Sequence, residues 1–300
     1  MFNQMSPKEI PVGSYEEFVR EINHLHCRDW VFRGHPDVKY HIEPSLKRFY
    51  RTHQKNIGET SRAIREYDAI RKFRKSAHHF LTHLPDDEDL LSWLAIMQHF
   101  GAPTRLVDFT YSAHAALFFA AVDSVKPVAS EEKPDEAELD KKYRPYSVHA
   151  LNLKAIQMAA YRVVRRRFEI KEDDFCIRPK TEQTKDFVSF FEGRWQNPRQ
   201  VAQQGLFMIP SRIDLDIHGW LRECPAAENP AGPPWRVYNF PGGRASYKRM
   251  IRALISSNLT HASLFPGIEG VARSMYLRLY EPITKIDEYW LRKSPSAKTT

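Results

Sequence analysis

The chain has 300 residues, 42% of them hydrophobic, enough apolar material for a real core in one large domain or in one domain with additions. Its formal net charge of +8 and pI near 9.3 favour an anionic partner, whether a nucleic acid, a nucleotide or an acidic protein. No run approaches the ~18 apolar residues of a membrane span, and the opening MFNQMSPKEIPVGS lacks the basic-then-apolar layout of a signal peptide, so a cytoplasmic protein is expected.

Ser14 is placed to cap a helix over residues 15–23 that carries Phe18, Val19 and Ile22 on one face. A strand over residues 29–34 comes next, then a long loop over 36–58 punctuated by Pro36, Pro44 and Gly58. Ile64, Tyr67, Ile70, Phe73, Ala77, Phe80 and Leu84 recur every three or four residues, which predicts a long helix over 59–84 stopped by Pro85. The following helix buries Leu90, Leu91, Leu94 and Met97, carries Gln98 and His99 on its last turn, and is closed by Gly101 and Pro103.

Leu106, Val107 and Phe109 read as a short strand with Asp108, Thr110 and Ser112 at or near its end, feeding a small-residue helix over 113–121. Residues 126–146, with three prolines and an acidic run, read as a surface insertion. Beyond it come a strand over 147–153, a basic helix and a charged loop, then a strand over 200–210 with Gly205 at its centre. A proline-rich loop over 225–234 precedes a strand over 235–240, a helix over 244–256 and a short strand over 262–265 before PGIEG. No fixed period recurs, which excludes a solenoid.

Arg33 is expected at a strand end, with Gly34 letting the backbone turn sharply beyond it. A guanidinium there suits a bidentate grip on phosphate or carboxylate, or equally an internal pair with Asp108, Glu269 or Glu43, and Arg105 faces the same choice. A strand that ends in hydroxyls and feeds a helix N-terminus is a common place for a phosphate or sugar, although Ser112 equally reads as a helix cap. His99, beside Gln98, is the better-placed histidine. His79 and His83 have the i, i+4 spacing of a zinc clamp but no HExxH pattern and no third ligand; His24, His26 and Cys27 are weaker still, and no metal is expected.

Cys27, Cys176 and Cys224 are far apart without any CxxC, so neither a disulfide framework nor a thiolate zinc site is indicated. Two basic clusters, one of Arg162, Arg165, Arg166, Arg167 and Lys171 and one of Arg244, Lys248, Arg249 and Arg252, have Tyr161, Phe168 and Tyr247 nearby and read either as a phosphate track or as ordinary solvated faces. No P-loop, GxSxG, GxGxxG or kinase set is present, which disfavours nucleotide hydrolysis and serine-hydrolase chemistry. A nuclease built on Asp108, Glu269 and His99 is left open by their spacing.

VFRGH at 31–35, QHFGAPTRLVDFTYS at 98–112, the ALFFA that follows, AQQGLF at 202–207 and SLFPGIEG at 263–270 together make the chain resemble the FRG domain family, over residues 14–275. That leaves residues 1–13 as an N-terminal segment and 276–300 as a C-terminal extension. The resemblance implies a bacterial or phage effector, a toxin or a defence module, with an antitoxin or defence protein as a partner.

The order of VFRG, LVDFTYS with its helix, and AQQGLF is also similar to the ADP-ribosyltransferase fold. The chain is expected to be one α+β domain of the FRG family, a mixed sheet of short strands flanked by helices, and the more distant resemblance implies NAD as cofactor and nucleic acid or protein as acceptor. It further implies that Arg33 grips the pyrophosphate, that Thr110 and Ser112 hold the nicotinamide ribose, and that Gln203 stands where that family commonly has a catalytic Glu. A Gln orients hydroxyls but does not ionise near neutral pH, so Glu269 or Asp108 would have to supply the charge. The other reading is a module that binds a nucleotide or nucleic acid without catalysis. A single cleft holding Arg33, Gln98, Arg105, Asp108, Thr110 and Gln203 is expected, and Gly34, His99 and Ser112 join the candidate cofactor-binding residues.

Overall fold

Alternating and capped segments of the sequence assemble into one mixed sheet with helices on both faces. The computed structural model describes residues 6–25, 28–125, 140–164, 185–193, 197–223 and 233–279. The core of the acidic insertion, Arg165, Arg166, Arg167, Phe168 and Lys171 of the first basic cluster, the three cysteines with His26, most of the proline-rich loop and most of the C-terminal extension lie outside the described residues.

The strands are β1 (Lys8–Pro11), β2 (Trp30–His35), β3 (Val107–Thr110), β4 (Tyr146–Asn152), β5 (Val188–Phe191), β6 (Gly205–Pro210) and β7 (Trp235–Phe240). They lie in the order β1-β7-β4-β2-β3-β6-β5, antiparallel except for the parallel β1/β7 pair. Eleven helices are described: α1 (Tyr15–Ile22), α2 (Ser45–His53), α3 (Glu59–Ala77), α4 (Leu90–His99), α5 (Ala113–Val122), α6 (Leu153–Val164), α7 (Pro198–Gln203), α8 (Ile217–Glu223), α9 (Arg244–Ser256), α10 (His261–Leu264) and α11 (Ile268–Arg278). The protein is therefore α+β with a mixed sheet, as the family resemblance implies. Among the described residues no helix is long and apolar enough to cross a membrane.

α5 covers one face of the sheet. Its buried Ala116 and Ala120 come so close to β2 that a Cβ on Gly34 would overlap the Ala116 carbonyl oxygen and lie 2.8 Å from the Ala120 nitrogen. Gly34 thus serves a close approach in the middle of a strand, and Arg33 lies inside β2, which runs on to His35. This corrects the expectation of a sharp turn after Arg33. α1 and α9 join α5 over that face, packing Phe18, Tyr247, Ile251 and Leu254 into the same core. On the other face Val31, Val107, Phe109, Leu151 and Trp235 pack with Ile156 of α6 and Leu221 of α8. A third cluster joins α3 and α4 to the sheet through Ile70, Trp93, Leu94, Leu106 and Ile209.

Several elements differ from the sequence reading because short capping motifs outweigh apolar alternation. The stretch 200–210 is not one strand: Asn197 and Gln200 form a capping box with Pro198 in the first turn, α7 ends at Gln203, and Gln204 adopts a left-handed φ of 48° before β6 begins. Residues 262–264 are helix and Phe265 is its C-cap, since Thr260 and Ser263 cap α10 in the same way. Glu269 stands in the first turn of α11, behind Gly267 at φ 122°, and Gly270 is required because a Cβ there would overlap the Phe265 carbonyl oxygen. The loop over 36–58 contains α2, and α3 stops at Ala77, so His79 and His83 lie past its end and do not share a helical face.

Candidate active site

The sheet has one weak seam. β2 pairs with β4 over six residues and β3 with β6 over four, but β2 meets β3 only at Phe32 and Thr110. Continuing that register would set Gly34 opposite Asp108, and no ladder pair forms there. The strands diverge, and the wedge between them is a cleft of about 350 Å³ lined by residues of β2, α4, β3, α5, α7 and β6. Its apolar wall includes Phe32, Phe109, Phe119 and Phe207; its polar groups include Arg33, Gln98, His99, Asp108, Thr110, Asp123, Arg199, Gln200 and Gln203.

Arg33 bridges the seam with its side chain. Nη1 donates to the Asp108 carbonyl oxygen at 2.7 Å and Nε donates to His35 Nε2 at 3.1 Å. Burial lowers the guanidinium's pKa while Asp108 opposes the shift, and among the described residues Arg33 makes no ion pair. Glu43, one of its expected partners, is taken by Arg51 in a bidentate pair at 2.8 and 2.9 Å.

The Asp108 carboxylate is exposed in the cleft and held by Gln98, whose Nε2 donates to Oδ1 at 2.8 Å. Gln98 is fixed in turn by the Thr104 hydroxyl, which donates to its Oε1. Thr110 contributes its wall but little free chemistry, because its hydroxyl donates to the Gln203 carbonyl at 2.6 Å and accepts from the Ser112 N–H at 2.9 Å. The Gln203 side chain donates to the Leu264 carbonyl at 2.9 Å, which ties the AQQG and SLFPG motifs together. Burial and the nearby Arg199 lower the pKa of His99, favouring its neutral form.

Arg105, Ser112 and Glu269 do not line this cleft. Arg105 is buried against Glu66: its Nε donates to Glu66 Oε2 at 2.7 Å and a second guanidinium nitrogen reaches the same oxygen, which pins α3 to the approach of β3. Ser112 is the N-cap of α5 and accepts from Ala115 N–H at 3.1 Å. Glu269 is exposed on α11.

Three polar lining residues escape the sequence reading. Arg199 and Gln200 belong to α7, whose Asn-Pro-Arg-Gln start is the signal that locates them. Asp123 follows the ALFFA helix as its C-cap, and burial raises its carboxyl pKa against the pull of Arg273 and Arg144. Away from the cleft, α9 exposes Arg244, Arg249 and Arg252, but Tyr247 is buried in the core and is not a stacking platform beside them.

No curated protein and no solved structure matched the chain. The FRG domain model matches residues 28–128, which contain Arg33, Gly34, Gln98, His99, Asp108, Thr110 and Asp123 of the cleft but not α7, β6 or the SLFPGIEG motif. A strand that supplies Phe-Arg-Gly, a helix packed against its glycine and a facing strand that supplies the carboxylate are thus the contribution of an FRG domain, which this chain carries at residues 28–128.

Proposed function

We propose that the cleft binds NAD and serves ADP-ribosyl transfer to a nucleic acid or protein, within an effector or toxin of the kind that the FRG resemblance implies. The observation that carries this reading is the wedge at the β2/β3 seam, where Arg33 and Arg199, four phenylalanines and an oriented carboxylate line one space of about 350 Å³. That volume and mixture of apolar wall and few polar groups suit a small-molecule site. The donor set fits the cofactor: two guanidiniums for a pyrophosphate, aromatic faces for rings and amide groups for ribose hydroxyls.

When bound, NAD supplies a glycosidic bond whose breakage leaves positive charge on a ribose. Arg33 spends Nε and Nη1 inside the protein, so Nη2 is its edge for a phosphate oxygen. Asp108, aimed by Gln98, holds negative charge in the cleft without needing a proton to move. Gln203 commits its amide nitrogen to Leu264 and keeps Oε1 to accept from a hydroxyl. Glu269, away from the cleft, has no part in this reading.

The test is calorimetric binding of NAD together with nicotinamide release. Arg33→Ala should weaken NAD by about 10- to 100-fold, the worth of a charge-assisted contact. Asp108→Asn keeps an oxygen for Gln98 and should lower turnover about a hundredfold or more at nearly unchanged affinity. No binding of NAD by the parent protein overturns the reading. A second reading, a sensor that binds the nucleotide without reacting, is favoured by the uncharged, tethered Gln203; binding without consumption of NAD in the presence of cell extract selects it.

A further inference from the structure

Arg33 does not hold its own position. It shares one face of β2 with His35, two residues on, and its Nε donates to His35 Nε2 at 3.1 Å. His35 is 2% exposed, and its ring lies 4.6 Å from that of His149 on β4. His149 is locked too, because the Trp235 indole N–H donates to its Nδ1 at 3.3 Å. His218 on α8 follows at 6.0 Å, with Nε2 accepting from the Ile42 backbone N–H at 2.9 Å, and His41 closes the row with its ring 4.8 Å beyond. The row ends at a second, larger cavity of about 850 Å³.

The donors in this row leave no choice of tautomer. A guanidinium N–H, an indole N–H and a backbone N–H never accept, so the nitrogens facing them on His35, His149 and His218 carry no proton. Each of these rings is neutral in this arrangement, and His35 presents Arg33 with a fixed lone pair inside a packed row of tilted rings. With Nε held by His35 and Nη1 held by the Asp108 carbonyl, the plane of the guanidinium is defined and one edge is left to a ligand.

We propose that His35 is a positioning residue for Arg33, acting as a buried acceptor that orients the guanidinium toward the pyrophosphate of a bound nucleotide. The proposal rests on the nucleotide reading of the cleft. Its energetic content is preorganisation: a long side chain that is already in place loses little freedom on binding.

ADP-ribose, which carries the pyrophosphate but cannot be turned over by loss of nicotinamide, is the probe, with affinity measured by calorimetry on the full chain. His35→Gln places an amide oxygen where Nε2 stands and should keep affinity within about threefold. His35→Leu removes the acceptor and should weaken binding about tenfold. His35→Asn, whose oxygen falls short of Arg33, should behave like Leu and serves if the Leu variant does not fold. In an Arg33→Lys background, where no Nε–H remains, the difference between Gln and Leu at position 35 should vanish. If Arg33→Ala weakens ADP-ribose but Leu and Asn at 35 do not, the positioning role is overturned and the nucleotide site stands. If Arg33→Ala has no effect, the nucleotide reading falls and this proposal with it.

Discussion

At the scale of single residues, the Phe-Arg-Gly triplet divides its work. Phe32 makes the single pair with β3, Arg33 reaches across the seam to Asp108, and Gly34 admits α5. Gly34→Ala would force a methyl group against the backbone of α5, which a flexible side chain cannot relieve, and should lower unfolding free energy in urea by about 2–3 kcal/mol. An unchanged denaturation midpoint would mean that α5 shifts without cost. Arg33 and Asp108 were legible as candidates because polar groups among apolar strand residues stand out. Arg105 stood out for the same reason and yet is structural, because its partner Glu66 lies on a distant helix that nothing near Arg105 announces.

At the scale of elements, β7 and α9 have the bounds that alternation and helical spacing predict, 235–240 and 244–256. Most elements missed were short: β1, β5, α2, α7, α8 and α10 span nine residues or fewer, too few for a period to declare itself, and α11, with eleven residues, is the exception. α7 has six residues, and a helix of that length depends on its ends. Asn197→Ala removes the acceptor for Gln200 N–H and should cost about 1 kcal/mol of stability, read as a lower Tm. The same substitution should weaken NAD, since α7 carries Arg199, Gln200 and Gln203 into the cleft. A lower Tm with unaltered affinity would show that β6 alone fixes this wall.

At the scale of the whole molecule, the buried histidines set a pH response. Burial, with neighbouring imidazoles and Arg33, pushes His149 down to about 3; burial, with His41 and Arg222, pushes His218 down to about 4. An unfolded histidine titrates near ~6.5, so below that pH the unfolded chain takes up protons that the folded rings refuse. Stability present at pH 7 is therefore lost as the pH falls from ~6.5 toward the folded values, by at most about 1.4 kcal/mol per pH unit for the fully buried His149. Thermal unfolding at pH 7 and pH 5 should show a lower Tm in acid. His149→Asn, which keeps an acceptor for Trp235 and does not titrate, should shrink that difference. An equal drop in the variant would assign the response to other groups. None of this was legible from the chain, where His35, His149 and His218 are far apart and only the pairing of β2 with β4 and the placement of α8 bring them together.

The seam between β2 and β3 joins two half-sheets, β1-β7-β4-β2 and β3-β6-β5, through one backbone pair and one arginine. Beyond Phe32 and Thr110 the backbone rungs that other sheets place between neighbouring strands do not form, and the nucleotide proposed for the gap would lie across it. A guest that touches both strands acts as the missing rungs of a ladder, so filling the gap and holding the halves together are one thermodynamic event. A nucleotide bound as proposed would call on Arg33 twice, since the side chain that would grip it is the one that already bridges the two strands.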